Sequence, residues 1–423
     1  MTDFEAIRAQ FPILEQRVHG RPLVYLDSAA TSQKPQCVID AESEYYRTIN
    51  AGVHRGAHEL AARATVAFEE ARAKVAKLVG AESAEGREEL VVTGGATAGL
   101  NLLATAFGNA SLGRGGEAAK RFALEPGDNI VVSKAEHHSV LLPFQELAAR
   151  TGATLRWLDL DDEGRIRVDD VDQVIDERTK VVAVTHVGNV TGAITDIAPL
   201  VRRAHEVGAL FVLDACQSVP HLAVDFHALD VDFAAFSAHK MYGPTGVGFL
   251  YGKRELLEAL PPAQFGGSMV ELAWMDKPAQ YMAPPARFEA GTQPVAQVVA
   301  AGVAADWLMS IGMEQVEAHE RMIAAELLKL GEIESVRILG PRDNERRIGT
   351  VAFDVKGVHP HDVGKFIDAV GIAIRVGHHC AQPVHRHFGL YASNRASTGI
   401  YNTVEEAQAL VEAVAKVRPF FGA

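Results

Sequence analysis

The sequence has little of what disulfide-bonded, membrane-spanning or nucleic-acid-binding proteins require. It contains only three cysteines, Cys37, Cys216 and Cys380, which are too few and too scattered for a disulfide framework or a zinc site. No uncharged apolar run is long enough to span a bilayer. Lys and Arg number 41 against 54 Asp and Glu, and the net charge of -13 argues against a surface for nucleic acid or anionic lipid.

The chain is long enough for more than one folded unit. With 423 residues, of which 48% are apolar, about two domains with sizeable cores are expected. Residues 1–5 lack a basic flank followed by an apolar segment, so no secretory signal is visible. The default expectation is therefore a cytoplasmic protein.

Short apolar runs alternate with helical patterns through the first two thirds of the chain. A helical apolar stripe over 60–78 stops at Gly80, and the Gly- and Ala-rich segment at about 109–120 is interpreted as a surface loop without chemistry. Strands alternating with helices predict an α/β fold with a mostly parallel sheet, whose ligands bind beyond the carboxyl ends of the strands. The predicted strands are 90–93, 130–133, 155–160, 181–185, 210–213, 233–236 and 247–251.

The pattern changes after Thr292. Two long helices, at about 294–310 and 314–330, precede a mixed order of strands and helices, which predicts a smaller α+β domain. We therefore expect an N-terminal segment (1–25) packing on the small domain, a large domain (26–292) and a small C-terminal domain (293–423). The predicted elements of the small domain are strands at 336–339, 350–355, 372–376 and 396–401 and helices at 361–370 and 404–417.

The stretch around Lys240 carries the strongest chemical signal. An apolar strand ends at Phe236 and is followed by Ser237, His239, Lys240 and a Gly/Pro-rich loop, so the lysine is expected at a strand end facing a cleft. A neutral lysine amine condenses with aldehydes, and pyridoxal 5'-phosphate is the commonest biological aldehyde held in this way. Ser237 and His239 would then bind its phosphate. Taken alone, the segment also fits a solvated lysine after a strand.

Two more segments fit an anion and a protonated ring at predicted strand ends. The run 94–97 opens a helix, so the backbone amides of Ala96 and Thr97 point towards any anion placed there, although a tight turn fits the same run. Asp214 ends a strand, where a buried carboxylate is costly without a partner such as a protonated pyridine nitrogen. A carboxylate that caps the following turn is the alternative.

Three further residues are suited to contacts with the ring. Asn189 and Gln217 are candidates for hydrogen bonds to its phenolic oxygen, and the flat imidazole of His137 is a candidate for stacking on it. A His-His pair such as 137–138 is elsewhere usually a polar loop, or sometimes a metal site. We expect no metal here.

Jointly these motifs are highly specific. The chain resembles a class V aminotransferase-fold cysteine desulfurase, and specifically the SufS-like branch that supplies sulfur for iron-sulfur cluster assembly. The resemblance covers essentially the whole chain and implies a fold type I large domain with a smaller α+β domain. The matching stretches are 26–31, 53–56, 136–138, 214–217, 236–246, 287–292, 375–383 and 394–397.

The resemblance also implies roles for individual residues around pyridoxal phosphate. Lys240 would hold the cofactor covalently, Asp214 would pair with its ring nitrogen, and His137 would stack on the ring and act in catalysis. The other implied contacts are Ala96, Thr97, Ser237 and His239 at the phosphate, Thr292 from the second subunit of a homodimer, Asn189 and Gln217 at the ring oxygen, and Arg395, Asn189, His54 and Arg55 at the substrate.

Cys380 distinguishes a desulfurase from other chemistries of this fold. Aminotransferases and lyases need the lysine but no thiol, whereas a desulfurase needs a nucleophile that takes the sulfur of L-cysteine. By resemblance, Cys380 in its short loop takes this role, while Cys216 and Cys37 are expected to be inert. A structural thiol at Cys380, a selenocysteine lyase, another lyase or aminotransferase of the fold, and a scaffold without catalysis are the alternatives.

His361 bears on the identity of the protein that accepts the sulfur. An isolated histidine at the start of a helix is usually solvated. In the SufS-like branch, however, a histidine in the setting 359–362 resembles the one associated with zinc-containing SufU-type acceptors. The resemblance therefore implies a small zinc protein as partner.

Overall fold

The computed structural model of the chain describes residues 2–82 and 89–423. Its strands are β1 (Arg17–Val18), β2 (Arg21–Pro22), β3 (Val24–Tyr25), β4 (Leu90–Thr93), β5 (Asn129–Ser133), β6 (Thr154–Leu158), β7 (Thr179–Thr185), β8 (Leu210–Asp214), β9 (Phe233–Ser237), β10 (Gly248–Gly252), β11 (Val270–Leu272), β12 (Gln280–Tyr281), β13 (Val336–Leu339), β14 (Thr350–Val355), β15 (Ile372–Ala373), β16 (Arg375–Gly377) and β17 (Ser393–Ser397). Its helices are α1 (Phe4–Arg8), α2 (Gln36–Thr48), α3 (Glu59–Leu78), α4 (Ala96–Ser111), α5 (Gly116–Ala119), α6 (His138–Thr151), α7 (Val171–Val174), α8 (Ala198–Glu206), α9 (Arg254–Ala259), α10 (Val295–Ile311), α11 (Met313–Leu328), α12 (Pro360–Asp368), α13 (Gln382–His387), α14 (Val404–Ala415) and α15 (Val417–Phe421).

The largest sheet has seven strands in the order β4-β10-β9-β8-β7-β5-β6. Strands β5 to β9 run parallel, whereas β10 is antiparallel to both β4 and β9. Because parallel strands end at the same edge of a sheet, the loops that follow β5, β7, β8 and β9 meet there. The predicted α/β fold with a mostly parallel sheet is confirmed.

Both faces of this sheet are buried because apolar side chains alternate along its strands. In β7, Val182 and Val184 belong to one core and Val181 and Ala183 to the other. Helices α3, α8 and α10 contribute to the first core, and α4, α6 and α9 to the second. Because both faces of the sheet are covered, the ends of its strands are the place for a ligand.

A second sheet, in the order β13-β14-β17-β16, is antiparallel throughout. Helices α11, α12 and α14 share its core through Ile323, Val363 and Leu410. The N-terminal segment joins this part through β3, which pairs with β15, and through an ion pair of 2.7 Å between Arg8 and Glu406. The domain boundaries given above remain predictions.

Three segments differ from their predicted structure. The segment 109–120, interpreted as a loop, holds the end of α4 and the short helix α5, because Ala119 and Phe122 are buried in the second core of the large sheet. The strand predicted at 372–376 divides into β15 and β16, since β15 pairs with β3 and β16 pairs with β17. The strand predicted at 396–401 runs instead over Ser393–Ser397.

No single helix of the described residues is long and apolar enough to cross a membrane. The helix Val295–Ile311 and the segment Met313–Glu332 meet that length and composition only as a pair, which is bent by 78°.

Candidate active site

The loops that leave the carboxyl edge of the large sheet enclose a cavity of about 630 Å³ with β16, β17 and the turn between β16 and α13. Burial of polar groups around one cavity at a strand-end edge is the arrangement expected of a ligand site. The residues predicted from sequence that line it are Ala96, Thr97, His137, Asn189, Asp214, Gln217, Ser237, His239, Lys240, Cys380 and Arg395.

The turn that carries Lys240 is held by hydrogen bonds to the backbone carbonyl of the preceding residue, His239. The backbone oxygen of His239 accepts hydrogen bonds from Ser32 N at 3.0 Å, from Ser32 Oγ and Thr31 Oγ1 at 3.1 Å each, and from Lys34 Nζ at 3.0 Å. Ser32 Oγ also accepts from the amide of Tyr242, two residues beyond the lysine. The segment 31–34 therefore holds the turn on both sides of Lys240, whose amine makes no hydrogen bond with a described residue.

Lys34 is a part of this arrangement that the sequence analysis missed. Burial lowers the pKa of its amine to about 8, and the amine also donates to the carbonyl of Ser32. It forms no ion pair with any residue in the described part of the chain. The only sequence signal was its place three residues after the 26–31 stretch.

The end of the cavity at α4 is suited to a phosphate. Helix α4 begins at Ala96 without a side-chain cap, so its first backbone amides point to the cavity edge. Gly95, with φ 127°, brings the chain close to Ser237, whose Oγ lies 2.8 Å from the amide of Ala96. Thr97 Oγ1 lies 2.7 Å from Ser139 Oγ. Backbone amides and hydroxyl groups are the donors that a phosphate requires.

Asp214 lies at the end of β8, where its side chain is buried. One carboxylate oxygen accepts from the amide of Cys216 at 3.0 Å, and the carboxylate forms no ion pair within the described residues. Nearby, Gln217 donates from Nε2 to the carbonyl of Ala29, which leaves its buried Oε1 without a partner in the part of the chain described. A buried carboxylate and an orphaned acceptor indicate that a polar ligand completes this end.

His137 is the N-cap residue of α6 and has its proton on a defined nitrogen. Burial, and then the charge of Lys240, lowers the pKa of His137 to about 4, so the imidazole is neutral near pH 7. Its Nδ1 accepts from the backbone N–H of Ser139 at 3.1 Å, and a backbone amide can only donate. The proton of the neutral ring is therefore on Nε2.

The side chain of Glu136 is fully buried next to this histidine, and no role for it was predicted from the sequence. It accepts from Ser133 Oγ and, at 3.1 Å, from the amide of Thr185, which pairs with Asp214 across β7 and β8. Burial raises the pKa of Glu136 to about 8. A neutral Glu136 near pH 7 therefore avoids a second unpaired charge close to Asp214.

Arg395 on β17 is almost completely buried and is held from two directions. Its Nη1 donates to the carbonyl of Asn189 at 3.0 Å, and its Nη2 lies 3.4 Å from the carboxylate of Asp27. Its Nε is buried without a partner among the described residues. Burial lowers the pKa of Arg395 to about 10, which leaves the guanidinium charged at pH 7. An anchored cation with a donor to spare is suited to a carboxylate ligand.

Asp27 and Arg375 complete this end, and neither was chosen as a site residue from the sequence. Arg375 Nη2 and Nε lie 2.7 Å and 3.0 Å from one oxygen of Asp27. Asp27 thus lies between Arg375 and Arg395, and it reduces the repulsion between two guanidinium groups that line the same cavity.

Cys380 lies in a strained turn between β16 and α13. Both His379 and Cys380 have positive φ, 52° and 54°, which costs on the order of 1–3 kcal/mol for each residue other than glycine. The carbonyl of His379 accepts from Asn189 Nδ2 at 2.6 Å, and the carbonyl of Cys380 accepts from the amide of His138 at 2.8 Å. Loops of the large sheet therefore hold the turn, and the thiol of Cys380 is exposed in the cavity.

The other two cysteines differ from Cys380 in their surroundings. Cys216 also lines the cavity, but burial, and then the carboxylate of Asp214, raises the pKa of its thiol to about 12. Cys37 is exposed in the first turn of α2 and does not line the cavity. A thiolate, the nucleophilic form of cysteine, is thus strongly disfavoured at Cys216.

Four predicted residues do not reach the cavity of their own chain. His54 lies 2.7 Å from Glu69, and Arg55 donates to the carbonyls of Ser268 and Val270. The substrate contacts predicted for these two residues are therefore not made within a single chain. Thr292, expected to act from a second subunit, and His361 are both exposed elsewhere on the surface.

Comparison with known proteins finds relatives that match almost the whole chain. Residues 24–410 match the family described as Aminotransferase class-V. The chain is 51% identical to "Probable cysteine desulfurase 2" of Mycobacterium leprae, over 99% of this chain and 98% of that protein, and 48% identical to "Probable cysteine desulfurase" of Streptomyces coelicolor, over 100% and 99%. The apo structure of a cysteine desulfurase from Thermococcus onnurineus covers 98% of both chains with a TM-score of 0.89 and 36% identity. The similarity thus extends over both sheets and the cavity between them.

Proposed function

We propose that this chain, which belongs to the aminotransferase class-V family, is a pyridoxal-phosphate-dependent cysteine desulfurase that transfers the sulfur of L-cysteine to Cys380. The observation that carries the proposal is the exposed thiol of Cys380 in the same cavity as Lys240, Asp214 and Arg395. Transamination and elimination on this fold need the lysine but no thiol. The thiol is the group that selects sulfur transfer.

Pyridoxal phosphate fits the donors of the cavity. Asp214 would pair with its ring nitrogen, the orphaned Oε1 of Gln217 would lie on the side of the ring hydroxyl, and the start of α4 with Ser237 would take the phosphate. Lys240 would hold the cofactor. When bound, the cofactor supplies an electron sink that weakens bonds at the substrate's Cα.

The chain's own residues would then divide the remaining work. The spare donor of Arg395 would bind the substrate carboxylate, which fixes the amino acid in the cavity. The amine of Lys240 would take the Cα proton, and His137, with its proton on Nε2, would donate to the leaving fragment.

Sulfur transfer from L-cysteine to Cys380 requires no oxidant, reductant or other reactant. The Cys380 thiolate attacks the substrate's sulfur, an S–S bond forms, the Cβ–S bond breaks, and a proton replaces sulfur on Cβ. L-cysteine and a protein thiol thus give L-alanine and a protein persulfide.

Product analysis tests this proposal. Incubation of the cofactor-loaded protein with L-cysteine and a thiol reductant should yield alanine and sulfide in equal amounts, because the reductant removes the persulfide sulfur. Pyruvate or another keto acid as the main product would contradict sulfur transfer and would point to elimination or transamination.

The finer assignment to SufS-like enzymes of iron-sulfur cluster assembly rests on the short turn that carries Cys380. Only residues 378–381 separate β16 from α13, so the thiol has little reach beyond the cavity. An acceptor protein must therefore bring its own thiolate to Cys380. We propose that a homodimer of this chain, with Thr292 of one subunit near the phosphate of the other, serves such an acceptor.

His361 is our candidate contact for that acceptor. It is exposed in the first turn of α12, where its ring stacks on His359 with centroids 5.8 Å apart. Helix α12 lies directly on β16, since a Cβ on Gly364 would come within 2.5 Å of Val376. The helix with His361 therefore packs against the strand that leads to Cys380. A zinc-bound thiolate is a poor nucleophile, and an imidazole that takes its coordination position frees it to attack a persulfide.

The His361→Ala variant should keep its cofactor content and its slow, reductant-driven alanine formation, but lose stimulation by a small zinc-containing acceptor. The measurement is the rate of alanine formation with and without that acceptor. His227→Ala, another exposed histidine outside the cavity, is the matched control and should be stimulated like the parent. Full stimulation of His361→Ala, or stimulation of the parent only by a zinc-free acceptor, would rule out this contact.

A further inference from the structure

Behind the cysteine turn, two imidazoles meet at one buried hydroxyl. Ser393 Oγ lies 3.0 Å from His379 Nε2 and 2.9 Å from His385 Nε2. The other nitrogen of His385, Nδ1, lies 3.1 Å from the carbonyl of Ala381. All three side chains are less than one-tenth exposed. The residues on both sides of Cys380 are thus connected, through imidazoles, to the same serine.

The direction of each hydrogen bond follows from the carbonyl of Ala381, which lies at one end of this series of hydrogen bonds. Because a carbonyl only accepts, His385 has its proton on Nδ1. Burial lowers the pKa of His385, so the ring is neutral and its Nε2 accepts from Ser393. The single hydroxyl proton of Ser393 is then committed, and its oxygen accepts from His379 Nε2.

The surroundings of the other nitrogen of His379, Nδ1, are consistent with this assignment. Burial, and then the charge of Arg395, lowers the pKa of His379 to about 2, so the ring is neutral with one proton. With that proton on Nε2, Nδ1 is a bare acceptor, and Nδ1 is the buried atom that lacks a partner among the described residues. One consistent set of donors therefore runs from His379 through Ser393 and His385 to Ala381.

We propose that Ser393 and His385 are positioning residues that hold the Cys380 turn in the conformation that presents the thiol to the cavity. The positive φ angles at His379 and Cys380 are unfavourable and persist only where surrounding contacts fix them. Asn189 and His138 hold the carbonyls of the turn from the large sheet, and the serine holds both of its flanks from the small sheet. The catalytic importance of the hydrogen bonds of Ser393 rests on the proposed function, since it assumes that Cys380 receives sulfur.

Two substitutions at Ser393 separate the hydroxyl from the bulk of the side chain. Ser393→Ala removes both bonds, whereas Ser393→Thr keeps the hydroxyl on a strand that favours β-branched residues. The residue opposite on β16 is Gly377, which has no side chain to contact the added methyl group. Ser111→Ala, which also removes a hydroxyl with two hydrogen bonds but at the far end of α4, is the control.

The test measures amide hydrogen exchange of the peptide containing 379–381 in the cofactor-loaded protein, together with kcat and KM for L-cysteine. Loss of two buried hydrogen bonds should speed exchange by roughly tenfold or more in Ser393→Ala. It should lower kcat by a similar factor while KM changes by less than about twofold, because Arg395 and Lys240 remain in place. Ser393→Thr and Ser111→Ala should resemble the parent in all three quantities.

Parental exchange in Ser393→Ala, or equal loosening of the turn in Ser393→Thr, would overturn the proposal. If Ser393→Ala does not fold, His385→Leu decides on the same readout, because it removes the connection to Ala381 and should also speed exchange. A parent protein that does not turn over L-cysteine would count against the proposed function. The exchange measurements would still decide whether Ser393 and His385 hold the Cys380 turn.

Discussion

The Lys240→Ala variant should form no covalent bond with pyridoxal phosphate and should lose turnover by at least roughly 100-fold, the lower range for a removed acid–base group. Lys240 is the one lysine of the described residues that lines the cavity, and the hydrogen bonds to the His239 carbonyl hold its turn in place. Lys34, whose amine donates to the carbonyls of His239 and Ser32, does not line the cavity. The measurement is the mass of the protein after reconstitution with the cofactor and borohydride reduction, together with the rate of alanine formation.

Lys253→Ala serves as the matched control, because Lys253 forms ion pairs with Asp230 and Asp232 away from the cavity. This control should retain the covalently bound cofactor and the parental rate. A Lys240→Ala protein that gains the cofactor's mass after reduction would show that another amine holds it, and the assignment of Lys240 would be wrong.

The Cys380→Ser variant should keep the cofactor and still bind L-cysteine, yet accumulate no persulfide. The hydroxyl of serine occupies the same place in the turn but does not take sulfur in this exchange. Alanine formation should fall by at least roughly 100-fold, a typical loss for removal of an activated nucleophile. Substrate-induced change in the cofactor's absorbance should persist, since Arg395 and Lys240 are intact.

Cys37→Ser provides the control for a cysteine-to-serine change at an exposed site outside the cavity, and it should behave as the parent. Release of alanine by Cys380→Ser at the parental rate would contradict the assignment of sulfur transfer to this thiol. Sulfur would then leave the substrate without attack by Cys380.

The elements of the large sheet could be predicted from sequence because their signals are local. Each strand such as β7 or β8 is a short apolar run, and alternate residues contribute to two cores, so the run itself marks the strand. The residues at strand ends could be predicted for the same reason. Lys240 and Asp214 directly follow or end such a run, and parallel strands bring those ends together.

The contacts that hold the site were not predictable, because they join residues far apart in the chain. Asp27 lies 368 positions from Arg395, and Lys34 lies 205 positions from His239, so no spacing pattern connects either pair. The role of Ser393 depends on two imidazoles that reach it from α13 and the cysteine turn. Such contacts form only when distant segments of the chain come together, which is a property of the fold and not of any one segment.

Transfer of sulfur to Cys380 is tested by a mass spectrum of proteolytic peptides from the cofactor-loaded protein after brief exposure to L-cysteine without reductant. We expect one added sulfur atom on the peptide that contains Cys380, lost again on treatment with a reductant, and none on the peptides of Cys37 and Cys216. Alanine production with no sulfur on Cys380, or with the sulfur on another cysteine, would contradict this transfer.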